Sequence, residues 1–182
     1  MDNTSKNGQQ QIRWVVMGVS GCGKSTVGQA LARAVGVPFV EGDQFHSASN
    51  VAKMSDGVAL TDADRFDWLL TLQAQLRDAS AANSGLVLSC SALKRRYRDL
   101  LRAGDPGLRF AHLQGPRELI AARMQARVGH YMPPSLLDSQ LRDLEPLQDD
   151  EAGVCLDIGV APERLVARIL ASEQEGATDK QA

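Results

Sequence analysis

Apolar residues arrive along the chain in two alternating rhythms. Short continuous runs at 12–17, 38–41, 86–90, 108–113 and 154–158 have the length and composition of buried strands. Between them the apolar positions move to helical spacing, clearest at Val27, Ala30, Leu31, Ala34 and Val35. Comparable stripes occupy Phe66, Leu69, Leu70 and Leu76, then Leu93, Tyr97, Leu100 and Leu101, and finally Leu165, Val166, Ile169 and Leu170. This alternation of strand and helix predicts an α/β fold, a parallel sheet with helices on both faces. Residues 1–11 and 173–182 are polar and read as loose tails around a single domain over 12–172. Ligands of such open sheets bind at the carboxyl ends of the strands, so the candidate chemistry is sought there.

Directly after the first run stands Gly18-Val19-Ser20-Gly21-Cys22-Gly23-Lys24-Ser25, a full G-x-x-x-x-G-K-[ST] match that leads through Thr26 into the first amphipathic stripe. Glycines at 18, 21 and 23 let successive backbone N–H groups turn toward an anion, and the helix after them adds its positive end. Lys24 is placed to reach the β- and γ-phosphates of a nucleoside triphosphate. The Ser25 hydroxyl is placed to ligate Mg²⁺. Cys22 fills a variable position and needs no redox role.

The motif does not say what becomes of the phosphoryl group, because switches, motors and kinases share it. The N-K-x-D element of guanine specificity is absent, and the run at 86–90 ends without the carboxylate of a motor. A small kinase is left by elimination. Its acid is expected at Glu41-Gly42-Asp43, two carboxylates on one side of an extended chain, with Asp43 facing the acceptor hydroxyl and Glu41 nearer the Mg²⁺ water shell.

Beyond that acid come His46, Asn50, Lys53, Asp64 and Arg65, a polar set suited to a polyhydroxy acid. Asn50 and His46 offer hydrogen bonds to hydroxyls, and Lys53 and Arg65 offer charge to a carboxylate. For His46 alone, a structural role weighs equally. Lys94, after the third run, is a further acceptor-side candidate, whereas Arg95, Arg96, Arg98 and Arg102 read as a solvated charged face. Arg123 and Arg127, four residues apart before Gly129-His130-Tyr131-Met132-Pro133-Pro134, suit a lid over about 123–140, with ordinary surface arginines as the equal alternative. Asp157 reads as a turn or capping residue.

Bulk composition narrows the partners. With 20 Lys and Arg against 22 Asp and Glu, the net charge of −2 gives no electrostatic reason to expect nucleic acid or an anionic membrane. No apolar run reaches the roughly 18 residues of a membrane span. Three widely spaced cysteines, Cys22, Cys90 and Cys155, fit a reducing compartment, and a cytoplasmic location is expected.

Taken together, these residues resemble the gluconokinases, within the wider group of shikimate and nucleoside monophosphate kinases. The likeness runs between the tails through the phosphate loop, Gly42-Asp43 with His46, Asn50, Lys53 and Met54, then Asp62, Asp64, Arg65 and Trp68. Cys90-Ser91-Ala92-Leu93-Lys94, Tyr97-Arg98-Asp99-Leu100-Leu101 and Arg127-Val128-Gly129-His130-Tyr131-Met132 complete it. The resemblance implies a five-stranded sheet in the order 2-3-1-4-5 with a helical lid, and a homodimer. It implies ATP- and Mg²⁺-dependent phosphorylation of D-gluconate at its 6-hydroxyl. It also implies that Arg123 lies against adenine, that Arg127 acts from the lid, and that His130 belongs to the acceptor site. Glu41 stands where the family usually has Asp. A shikimate-type kinase of the same fold and a nucleotide-binding regulator are the alternatives.

Overall fold

A computed structural model of the protein describes residues 12–126 and 133–178. Five parallel strands, β1 (Arg13–Met17), β2 (Phe39–Glu41), β3 (Leu86–Ser89), β4 (Arg109–Gln114) and β5 (Gly153–Asp157), pair in the order β2-β3-β1-β4-β5. Each expected run is a strand. Central β1 is buried from Trp14 to Met17, at 0% exposure throughout, which is why it reads as unbroken apolar sequence rather than an alternating one. Seven α-helices accompany the sheet among the described residues: α1 (Lys24–Val35), α2 (Ala48–Ser55), α3 (Asp62–Ala81), α4 (Arg95–Arg102), α5 (Arg117–Gln125), α6 (Pro134–Asp143) and α7 (Pro162–Thr178). They form the outer layers of a three-layer α/β/α fold, α1 packing beside α7 and α3 beside α4.

Local chemistry sets the helix ends nearest the site. Thr61 and Asp64 form a reciprocal capping box that starts α3, and the Ser47 hydroxyl accepts from the Asn50 N–H to start α2. Helix α1 stops at Gly36 in the left-handed region. Between β2 and α2 the chain makes one 3-10 turn, Gly42–Phe45, which carries Asp43.

Three expectations need correcting or narrowing. The last helix runs on to Thr178, into the stretch read as a polar tail, and Glu173 is tied to the core by accepting from buried Trp14 Nε1 at 2.5 Å. Arg98 is not on a solvated face: it is 0% exposed, because it lies on the same side of α4 as Tyr97 and Leu101 and turns inward with them. Of the expected lid, 127–132 lies outside the described residues, and with it Arg127 and His130. The end of that range is anchored, since Leu136 and Leu137 of α6 are buried.

Candidate active site

The phosphate loop leaves β1 with Gly18, Gly21 and Gly23 at φ of 141°, 80° and 101°, a backbone that side-chain-bearing residues rarely adopt. It delivers the chain to α1 with that helix end open. No side chain caps it, its first turn carries no acid, and the first backbone bond is Val27 N–H to the Gly23 carbonyl at 3.0 Å. The amides before Val27 are the orphan donors of a helix N-terminus, the arrangement that takes up an anion. Lys24 folds back so that Nζ donates to the Val19 carbonyl at 3.1 Å, which parks its charge over the cradle. Cys22 turns its thiol into the core, where burial raises its pKa, so only its backbone serves the loop.

The acids sit two strands away. Glu41, Ser89 and Val16 share one row across β2, β3 and β1, so the carboxyl tip of β2 stands level with the start of the loop. Ser89 holds this tip: its hydroxyl donates to Glu41 Oε1 and accepts from the Gly42 N–H at 3.1 Å. Trp68 Nε1 adds a bond to the Gly42 carbonyl at 2.8 Å. The Glu41 arm is thereby fixed by a neighbour. Asp43, one residue further, is exposed, and its carboxylate accepts from no described residue.

The acceptor-side candidates divide into bound and free. Asn50 donates from Nδ2 to the Asp64 carbonyl at 2.7 Å, and Lys53 pairs with the Asp64 carboxylate at 2.6 Å, so both stitch α2 to α3. The Lys53 bond, with two from Thr61, holds the Asp64 pKa down at about 2. Lys94 is likewise engaged, 3.1 Å from Asp62, a carboxylate that also accepts from Tyr97 and Arg96 and is lowered to about 2, most of all by Tyr97. Arg65 is different. It is 6% exposed, and no described residue accepts from its guanidinium. His46 stacks on Trp68 at 4.1 Å with a buried, unpartnered Nδ1, and burial lowers its pKa. His46 lies within electrostatic reach of both Asp43 and Arg65, and neither its Nδ1 nor the Arg65 guanidinium has a partner among the described residues.

On the other side of the loop, Arg123 of α5 donates to the Ile158 carbonyl at 2.9 Å, beside the turn after β5. Asp157 accepts from the Gly159 N–H at 2.8 Å and closes that turn. Two residues of consequence are missed by the sequence reading. Arg98 meets Glu151 with two bonds of 2.7 Å and donates to the Ala92 carbonyl at 3.1 Å, steadying a turn in which Ala92 has φ of 43°. Gln140 of α6 accepts from the Ser20 N–H of the phosphate loop at 2.7 Å. The first had a signal in its spacing on α4; the second had none.

A five-stranded parallel sheet, an anion cradle at the tip of β1 and a free acid at the tip of β2 define a phosphate-loop kinase of small molecules. Residues 20–171 match the shikimate kinase family. The chain is 52% identical to a gluconokinase of Gluconobacter oxydans over 75% of its own length and 77% of that protein's. Among solved structures it resembles a gluconokinase from Sinorhizobium meliloti, at a TM-score of 0.85 and 43% identity over 95% and 97% of the two chains. A sugar kinase from Janibacter gives 0.86 at 47% identity, over 90% and 95%. The chain belongs to the gluconokinases, within the shikimate kinase family.

Proposed function

We propose that this enzyme transfers the γ-phosphoryl group of ATP to the 6-hydroxyl of D-gluconate, giving 6-phosphogluconate and ADP. The observation that carries the reading is the free Asp43 carboxylate just beyond the tip of β2, level with the phosphate loop, together with a buried Arg65 guanidinium from which no described residue accepts, both within electrostatic reach of His46. Gluconate has the matching ends, a carboxylate for Arg65 and an alcohol for Asp43. In this reading Gly18, Ser20, Gly21, Cys22, Gly23, Lys24, Ser25 and Thr26 form the nucleotide cradle, with Arg123 against the base. Asp43 orients the 6-hydroxyl and accepts its proton as the new P–O bond forms and the bond to the β-phosphate oxygen breaks. Lys24 offsets the charge that gathers on the departing oxygen. His46 adds a ring nitrogen toward the sugar hydroxyls, while Asn50, Lys53 and Lys94 act as the frame of the acceptor side.

The donor set suits Mg²⁺. The Ser25 hydroxyl and the Glu41 carboxylate are hard oxygen ligands, and this ion keeps most of its remaining positions for water and phosphate. When bound it would supply positive charge to offset the negative charge of the phosphates. No helix among the described residues is long and apolar enough to cross a membrane. A cytoplasmic location and a homodimer complete the reading, and sedimentation checks the latter.

A coupled assay of ADP release across gluconate, shikimate and nucleotides tests the acceptor; turnover with shikimate or a nucleotide but not gluconate overturns it. Three variants test the roles. Lys24→Ala abolishes productive ATP use. Asp43→Asn leaves ATP affinity near wild type and lowers kcat by about 10²-fold or more. Arg65→Met raises the KM for gluconate about 10- to 100-fold, the loss of a hydrogen-bonded charge pair, with the KM for ATP unchanged. Equal loss of ATP binding in the Lys24 and Asp43 variants would refute the division of labour.

A further inference from the structure

One peptide unit of the phosphate loop is gripped from both ends. The carbonyl of Val19 accepts from Lys24 Nζ at 3.1 Å, and the N–H of the same unit, belonging to Ser20, donates to Gln140 Oε1 at 2.7 Å. A trans peptide points its C=O and N–H in opposite directions, so rotation of that plane moves both groups together. Whatever fixes the N–H therefore fixes where the carbonyl, and the lysine resting on it, can lie. The orientation of the Gln140 carboxamide is not ambiguous, because a backbone N–H can be met only by its oxygen.

Gln140 is well placed to hold that plane still. It is the polar member of the α6 stripe Leu137, Gln140 and Leu141, whose leucines pack into or against the core, Leu137 at 0% exposure. It is mounted on a helix whose Leu136 and Leu137 are buried in the core. Within the loop the Val19 carbonyl also accepts from the Cys22 N–H, but at a longer 3.4 Å, and no other described residue accepts from the Ser20 N–H; glycines at 18, 21 and 23 add no side-chain restraint, and no side chain caps the α1 end.

We propose that Gln140 is a positioning residue for Lys24, acting through the Val19–Ser20 peptide to hold the ammonium where it meets the nucleotide's terminal phosphates. This rests on the kinase reading of the loop but not on the identity of the acceptor.

The test is a double-mutant cycle on Gln140→Met and Lys24→Ala, read as affinity for ATP and, where turnover is measurable, kcat. Methionine matches glutamine in length, lacks its strong acceptor and joins an apolar stripe, so α6 stays docked; an unchanged melting temperature verifies this. With Lys24 present, Gln140→Met weakens ATP use about tenfold, the upper end of what one neutral hydrogen bond contributes, and leaves the KM for gluconate unchanged. With Lys24→Ala it costs less than about twofold, because there is no ammonium left to aim. Hydrogen exchange supplies an independent reading: the Ser20 amide loses protection in Gln140→Met and regains it in Gln140→Glu, which keeps an acceptor at the same reach. Full ATP affinity in Gln140→Met, or the same loss with and without Lys24, overturns the proposal. Should gluconate prove not to be phosphorylated, the acceptor assignment alone fails, since the coupling is still read in ATP affinity.

Discussion

Residues whose partners are near in sequence were legible without the fold. The phosphate loop is eight consecutive residues because an anion cradle is a local backbone shape, and Glu41 and Asp43 could be placed because a strand puts alternate residues on one side. Residues whose role depends on distant partners were not. Lys94 reads as a free cation until Asp62 is seen 3.1 Å away, and Arg98 reads as a surface charge until Glu151 and the carbonyls of Ala92, Leu93, Glu145 and Pro146 surround it. The Arg98–Glu151 pair also sets an acid limit. Burial alone would raise the Glu151 pKa, but the Arg98, Gln148 and Arg102 bonds overcome this and leave it at about 2. A carboxylate depressed in the folded state stabilises fully above its ordinary value near 4.5 and loses that contribution as the pH falls toward about 2. Urea midpoints measured from pH 5 to pH 2 should fall over this window, and the fall should be smaller in Glu151→Gln. Arg98→Ala, which strands a buried carboxylate, should cost about 3–5 kcal/mol at neutral pH.

At the scale of elements, the five strands, the sheet class and helices α1, α3, α4 and α7 followed from periodicity, whereas α2 and α6 carry no such stripe in the sequence reading. What periodicity could not supply was how an element's end is held. The tip of β2 depends on Gly42, since a Cβ there would collide with the Ser89 carbonyl of β3. Gly42→Ala should therefore push β2 from β3, lower stability by about 1–3 kcal/mol and reduce kcat more than it changes ATP affinity, because Asp43 rides on the displaced turn. Denaturation and steady-state kinetics on one preparation check both. Wild-type kcat in a destabilised protein would mean that Asp43 does not depend on this contact. The start of α6 is hidden for the same reason: Pro133 and Pro134 mark a loop exit in sequence, but only packing shows that buried Leu136 and Leu137 fasten α6 to the core within its first turn.

For the whole molecule, the polarity of 173–182 suggests an end to the fold before the fold is complete. An α-helix can continue on its polar face long after its apolar stripe is exhausted, and here one residue of that continuation matters: Glu173 meets the N–H of Trp14, the fully buried second residue of the central strand, while Arg109 lies over the same indole ring at 4.9 Å. Glu173→Ala leaves that N–H without an acceptor and should cost about 1–3 kcal/mol; a chain cut at 172 should lose at least as much. Thermal and urea unfolding of the two variants beside the full chain decide this, and a truncated chain as stable as the original would return 173–182 to the status of a tail.

The strand order places β3 between the loop after β1 and the acid after β2, two strand widths or roughly 9–10 Å apart. In the proposed reaction the space between nucleotide and acceptor lies above the tip of β3, where Ser89, Cys90, Ser91 and Ala92 are all small and all buried. Ser91 accepts from the Gly18 N–H on one bank and Ser89 accepts from the Gly42 N–H on the other. Four residues with no part in the chemistry thus decide how wide the crossing is and keep it clear.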